Sequence, residues 1–168
     1  MTDHERCAEC GFDGGAFDDE RLVDAVAALG RRWRALIAIA GGDLRTRPAP
    51  GVWSALEYVA HSRDITALHV FGVEQALTVD EPRYPAFEEG LADKAAADYN
   101  HENVDEVLDA LDTEARRLAA LAPGGWRRGL TTGDRRQDVR GLVEHALHDS
   151  THHLQDVERG LAEISEKR

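Results

Sequence analysis

Four stretches of apolar residues recurring at three- and four-residue steps constrain this chain more than any other feature. After Asp18, the residues Leu22, Val26, Leu29, Trp33, Leu36 and Ile37 follow that rhythm until Gly41-Gly42. Such spacing lines one face of an α-helix with side chains that must be buried. Asp18 or Asp19 is the expected N-cap. The second stretch opens on Ser54-Ala55-Leu56-Glu57, a capping box in which Ser and Glu satisfy each other's free backbone N–H groups. It predicts a helix from about Ser54 to Leu77, broken by the segment from Thr78 to Pro85. Asn103-Val104-Asp105-Glu106 opens the third, which carries Val107, Leu108, Leu111, Ala115, Leu118 and Leu121 before Pro123-Gly124-Gly125 stops it. The fourth begins at Asp138 and carries Val139, Leu142, Ala146, Leu147, Leu154, Val157, Leu161 and Ile164.

Residues Ala86 to Tyr99 are polar and weakly helical, so they read as a short connecting helix. No segment shows strand alternation bounded by turns, and there is no internal repeat. The expected fold is all-α. It is a four-helix bundle over residues 18–168, with at least one crossover connection because the early loops are long. Residues 1–17 lack periodicity and are expected to form an irregular N-terminal arm that holds both cysteines.

At 168 residues the chain is expected to form one domain. Twenty basic against thirty-two acidic side chains give a net charge of −12. Such a chain is repelled by phosphate backbones and anionic lipid, so neither nucleic acid nor a membrane is an expected partner. The longest apolar run, Ala35 to Ala40, is far short of the ~20 residues that span a bilayer. Met1 to Arg6 is charged, without the apolar core of a signal peptide. Two cysteines do not make a disulfide scaffold. The expectation is a cytoplasmic protein.

The histidines suggest where chemistry could occur. His145, His148, His152 and His153 crowd into the last helix. The spacing His148-x-x-x-His152 puts two imidazoles one turn apart on the same side, which suits a shared metal ion. Two ligands hold an ion weakly, so a third is needed from another helix. His61 is the candidate, in Glu57-x-x-x-His61-x-x-Asp64. Pairing His145 with His152 is a rival geometry. On a helical wheel, His148 and His152 point roughly opposite the apolar stripe, toward a polar cleft, a partner or water. Three protein ligands would leave a coordination position open, the pattern of a catalytic site.

Cys7-Ala8-Glu9-Cys10-Gly11 has the shape of half a zinc knuckle. His4 has the spacing to join it, as His4-x-x-Cys7-x-x-Cys10, and a histidine from the bundle could complete it. The alternatives are a redox pair or idle thiols, although a redox pair normally opens a helix in a βαβ setting.

Two motifs resemble a known family. The segment Trp53-Ser54-Ala55-Leu56-Glu57-Tyr58-Val59-Ala60-His61-Ser62-Arg63-Asp64 resembles the second-helix motif of the DinB-like superfamily of metal-binding four-helix bundles. His148-Asp149-Ser150-Thr151-His152-His153 resembles its last-helix motif, in which a ligand precedes a His by four. Asp156 matches the branch containing mycothiol-dependent maleylpyruvate isomerase, and the resemblance extends from about Asp18 to Ile164. It implies His61, His148 and His152 as the metal triad. His145 and His153 are left as neighbours, with His153 packing or bonding within the bundle.

The implied cofactor is a divalent metal, zinc first, with nickel, iron or cobalt as alternatives. The implied activity is that of a metal-dependent enzyme using a low-molecular-weight thiol cosubstrate as thiolate nucleophile on a small electrophile, as a transferase or isomerase. Lys94 and Lys167 are the only lysines among twenty basic residues, an arginine bias that fits a GC-rich host using mycothiol. Glu57, Asp64 and Asp156 are the candidate carboxylates for holding the ligands, and Arg63 or Arg159 for pairing with an anionic substrate group. The alternatives are a noncatalytic metal-binding bundle with a stress or accessory role, and a metal-dependent hydrolase. A homodimer is also expected from the resemblance.

Overall fold

The computed structural model describes residues 4–85 and 98–168. The connecting helix expected from Ala86 lies, up to residue 97, outside the described residues.

Each expected long helix forms, and its cap explains where it starts. Asp18 accepts the Arg21 N–H at 2.8 Å and opens α1, Asp19–Ala27. Ala28 separates α1 from α2, Leu29–Ala40, so one predicted helix is two. This joint sits beside a tight crossing. A Cβ at Gly30 would lie 2.2 Å from Asp112 Oδ1, so only glycine allows that approach. The capping box forms in full at α3, Ala55–Thr78, with Glu57 N–H donating to Ser54 Oγ and Ser54 N–H to Glu57 Oε2 at 2.7 Å. Asn103 caps α4, Val104–Leu121, and Asp138 caps α5, Val139–Glu166.

α3 packs along both α4 and α5, and the α1–α2 pair packs along the same two helices. Helices consecutive in the first and last pairs therefore sit on a diagonal, and their connections cross an end of the bundle. α3 is buried on more than one side, including Leu56, Val59, Ala60, Val70 and Val73. A polar side chain on α3 is therefore desolvated wherever it points inward. One core cluster joins Leu22, Val26, Val70, Leu118 and Leu147, and the other joins Trp33, Leu56, Leu111, Leu154 and Val157.

One expectation is corrected. A small sheet is present, with β1 (Arg83–Tyr84) parallel to β2 (Gly129–Thr132) and β2 antiparallel to β3 (Arg135–Asp138). Its strands are too short to show alternation. The visible signal is Gly133-Asp134 between Thr132 and Arg135, with Gly133 at φ +58°, a two-residue hairpin turn.

The described part of the arm is irregular apart from the 3-10 turn Gly14–Ala16, yet it packs closely on the bundle. Phe12 is buried in the first core cluster, and Arg6 bridges Asp13 across the cysteine turn. The buried Arg140 donates to Glu144 and to the Gly14 and Phe17 carbonyls, while Glu144 accepts the Glu5 N–H at 3.0 Å. Gly14 comes so close that a Cβ would sit 2.4 Å from Glu144 Oε2. Among the described residues, no helix is long and apolar enough to cross a membrane.

Candidate metal centre

His61 lies in the first third of α3, facing inward, and is 8% exposed. Its Nε2 faces Asp149 Oδ1 on α5 at 3.7 Å. His153, one turn further along α5, brings its own Nε2 to 3.5 Å from the same oxygen. The ligand atoms of His61, Asp149 and His153 lie within 4.8 Å of one another.

The surroundings orient these groups. His153 Nδ1–H donates to Asp156 Oδ2 at 2.8 Å, which fixes the tautomer that leaves Nε2 as a ligand. Trp53 meets the His61 ring edge-on with centroids 5.2 Å apart, and Tyr58 lies 5.0 Å from the His153 ring. Together the two aromatics wall one side of the cluster.

Burial opposes ionisation of Asp149, but the facing imidazoles of His153 and His61 outweigh it and hold the carboxyl well below the usual range. Burial likewise opposes the charged form of His153, yet Asp149 and Asp156 raise its pKa above the ordinary imidazole value. Asp149 Oδ2 is buried and accepts no hydrogen bond. A carboxylate with one oxygen facing two imidazoles and the other buried without a partner fits a divalent cation.

The predicted triad is therefore divided. His61 stands with Asp149 and His153, and not in one ligand group with His148 and His152. Those two lie on the side of α5 that faces the arm, grouped with Cys7 and Cys10. The reason is helical pitch: a one-residue step along α5 turns the side chain by roughly 100°.

His4 does not join the cysteines; it donates through Nδ1 to Glu144 at 2.7 Å. Glu57 is engaged by Arg47 and its own capping box, and Asp64 accepts from Tyr99 Oη at 2.6 Å and from Arg63. Neither holds a ligand of the cluster, whereas Asp156 does. Arg63 is paired with Glu102 and Asp64, and Arg159 with Asp156.

Asp149 and Glu5 are candidate side chains that sequence reasoning passed over, and His153, read there as a neighbour, stands among the candidate ligands. Asp149-x-x-x-His153 has the same spacing as the histidine pair, one residue later, and was the available signal. Glu5 had none, because its partners His145 and His148 are far away in sequence. Glu5 accepts from both imidazoles. Burial opposes its ionisation, but these donors bring its pKa down to about 2. His69, also buried, faces His145 with ring centroids 5.3 Å apart, and burial with that neighbour pulls its pKa down to about 4.

Long helices on crossed connections, with histidine and carboxylate donors converging between the second and last, define a four-helix bundle built to present a metal-ligand cluster. The chain belongs to the DinB superfamily, whose family model matches residues 25–157. Its structure is similar to that of YfiT from Bacillus subtilis, described as a probable metal-dependent hydrolase with an unusual four-helix bundle topology. That likeness has a TM-score of 0.76 and covers 88% of this chain and 87% of the other, at 15% sequence identity. At that identity the likeness establishes the fold. No curated protein matches the chain.

Proposed function

We propose that this chain is a divalent-metal enzyme whose ion is held by His61, Asp149 and His153. The supporting observation is the convergence, from α3 and α5, of two imidazoles on the buried Asp149 carboxylate, whose second oxygen has no partner. Three protein donors leave a coordination position for substrate or nucleophile. When bound, the ion supplies Lewis acidity that generates a nucleophile at neutral pH. The chain's own groups do the rest. Asp156 keeps His153 in the ligating tautomer, and Trp53 and Tyr58 cover two of the ligands with apolar surface.

Hydrolysis with water as nucleophile is the first reading. A two-imidazole, one-carboxylate donor set is a water-activating arrangement, and the structural relative YfiT carries a hydrolase description. A low-molecular-weight thiol as nucleophile, mycothiol being the candidate, is the second reading. It is favoured by Asp156, the residue that matches the isomerase branch and that here bonds a ligand imidazole.

The test uses Co(II)-loaded protein carrying Cys7→Ser and Cys10→Ser, so that no protein thiolate colours the spectrum. Added thiol shifting the cobalt bands, with loss in His61→Ala, supports the thiol enzyme. Thiol-independent turnover of simple esters or amides, lost in the same variant, supports the hydrolase. A loaded site that does neither leaves a noncatalytic metal-binding bundle. Failure of the His61, Asp149 and His153 set to retain metal sinks the proposal.

A further inference from the structure

Cys7, Cys10, His148 and His152 form a second cluster that the proposed activity does not use. We propose that these four residues are a closed metal site, with zinc(II) as its ion, that staples the N-terminal arm to α5. One donor atom from each lies within 4.8 Å of the others.

The turn aims both sulfurs to one side. Gly11 N–H donates to the Cys7 carbonyl at 3.0 Å, and Cys7 N–H to the Phe12 carbonyl at 2.9 Å. Gly11 sits at φ +75°, a conformation that favours glycine and reverses the chain directly after Cys10. Gln155 on α5 donates to the Cys10 carbonyl at 3.0 Å, and Phe12 stacks on His148 with centroids 5.0 Å apart. These contacts set the turn against the two histidines.

The histidines are prepared as ligands. His148 Nδ1–H donates to Glu5 at 2.5 Å, the arrangement in which a carboxylate fixes a metal-ligating imidazole. Its other nitrogen, Nε2, is buried and has no hydrogen-bond partner. A buried, unsatisfied nitrogen is costly, and an ion supplies the partner. His152 turns Nδ1 toward Cys7 Sγ at 3.7 Å. Glu5 also touches His145, but its engagement of His148 Nδ1 makes it an orienting group rather than a rival ligand.

Two thiolates and two imidazoles on a tetrahedron are a structural zinc set. Four protein donors leave no position for substrate, so the site holds structure and does no chemistry. The inference stands independently of the reading of the site between α3 and α5.

The full-length protein is titrated with Co(II) or Zn(II) alone. About two equivalents bind. The Co(II) form shows thiolate-to-metal charge-transfer absorption that persists in His61→Ala and His153→Ala and vanishes in Cys7→Ser and Cys10→Ser. In the wild type, zinc slows cysteine alkylation about tenfold or more, and a chelator restores it. This second measurement decides the matter if a serine variant does not fold. A cobalt-loaded wild type without the thiolate band, a band unchanged in Cys10→Ser, or alkylation indifferent to zinc overturns the proposal. A metal-loaded wild type that shows the thiolate band yet turns nothing over would count against the enzyme reading of the other site alone.

Discussion

Two of the candidate ligand clusters on α5 stand one residue out of step. His148 and His152 face the arm with two cysteines, and Asp149 and His153 face α3 with a third imidazole. In each, a carboxylate accepts the Nδ1–H of one histidine: Glu5 for His148 and Asp156 for His153. In each, one buried polar atom lacks a partner: His148 Nε2 on the arm side and Asp149 Oδ2 on the α3 side. The donor sets differ. Sulfur and four donors make a closed site, whereas two imidazoles and a carboxylate leave an opening. Identical spacing on one helix therefore offers two different donor sets, and what each pair faces decides which.

The largest expected effect separates the clusters by activity. His153→Ala and His61→Ala abolish turnover, while Cys10→Ser retains it at a temperature where the variant is folded. Steady-state assays beside circular dichroism check this, and equal loss in both groups would break the comparison.

Removal of the arm metal comes next. If free zinc is a thousandfold above its dissociation constant, binding contributes about 4 kcal/mol of stability. For a chain of this size that is a fall of roughly 10 °C in Tm on chelation. Cys7→Ser/Cys10→Ser should lose most of that chelator sensitivity in calorimetry.

The carboxylates sharpen the contrast further. Asp156→Asn is expected to weaken metal binding at the α3–α5 site by about 10–100-fold, leaving the cobalt–thiolate band unchanged. Glu5→Gln should do the reverse, weakening the arm site by a similar factor. Competition with a chelator of known affinity measures both.

The smallest effect is on acid stability. Burial opposes ionisation of Glu57 and Glu144, but Arg47 and the Ser54 N–H at the first, and Arg140 with the Glu5 N–H at the second, bring both pKa values below the ordinary 4.5. A carboxylate with a depressed folded pKa binds fewer protons folded than unfolded between the two values. Its contribution is fully present above pH 4.5 and is lost as pH falls through the folded value. Glu144→Gln and Glu57→Gln should therefore flatten the acid limb of a stability curve. Glu144→Gln should flatten it more, because Glu144 and Arg140 are both buried whereas Arg47 is half-exposed.

Much of this was legible in residue order. The capping box at Ser54 and Glu57, the caps at Asp18, Asn103 and Asp138, and the apolar rhythm between them place the four long helical regions. That His61 and the last helix carry candidate metal ligands was legible too. Which of two overlapping i,i+4 pairs stands with His61 was not legible, although the helical wheel held a clue. His148 and His152 point away from the apolar stripe because the arm lies there. The β-hairpin was missed because four-residue strands carry too little alternation.

Periodicity, caps and a cysteine knuckle are local, so short stretches of sequence determined the helices, their ends and the turn that presents Cys7 and Cys10. Which donors meet is a property of contacts across 145 residues, as between Cys7 and His152. Only tertiary packing brings the arm to one side of α5 and α3 to the other. The physical reason is that a helix offers its side chains in every direction, and the neighbour it packs against selects which of them converge.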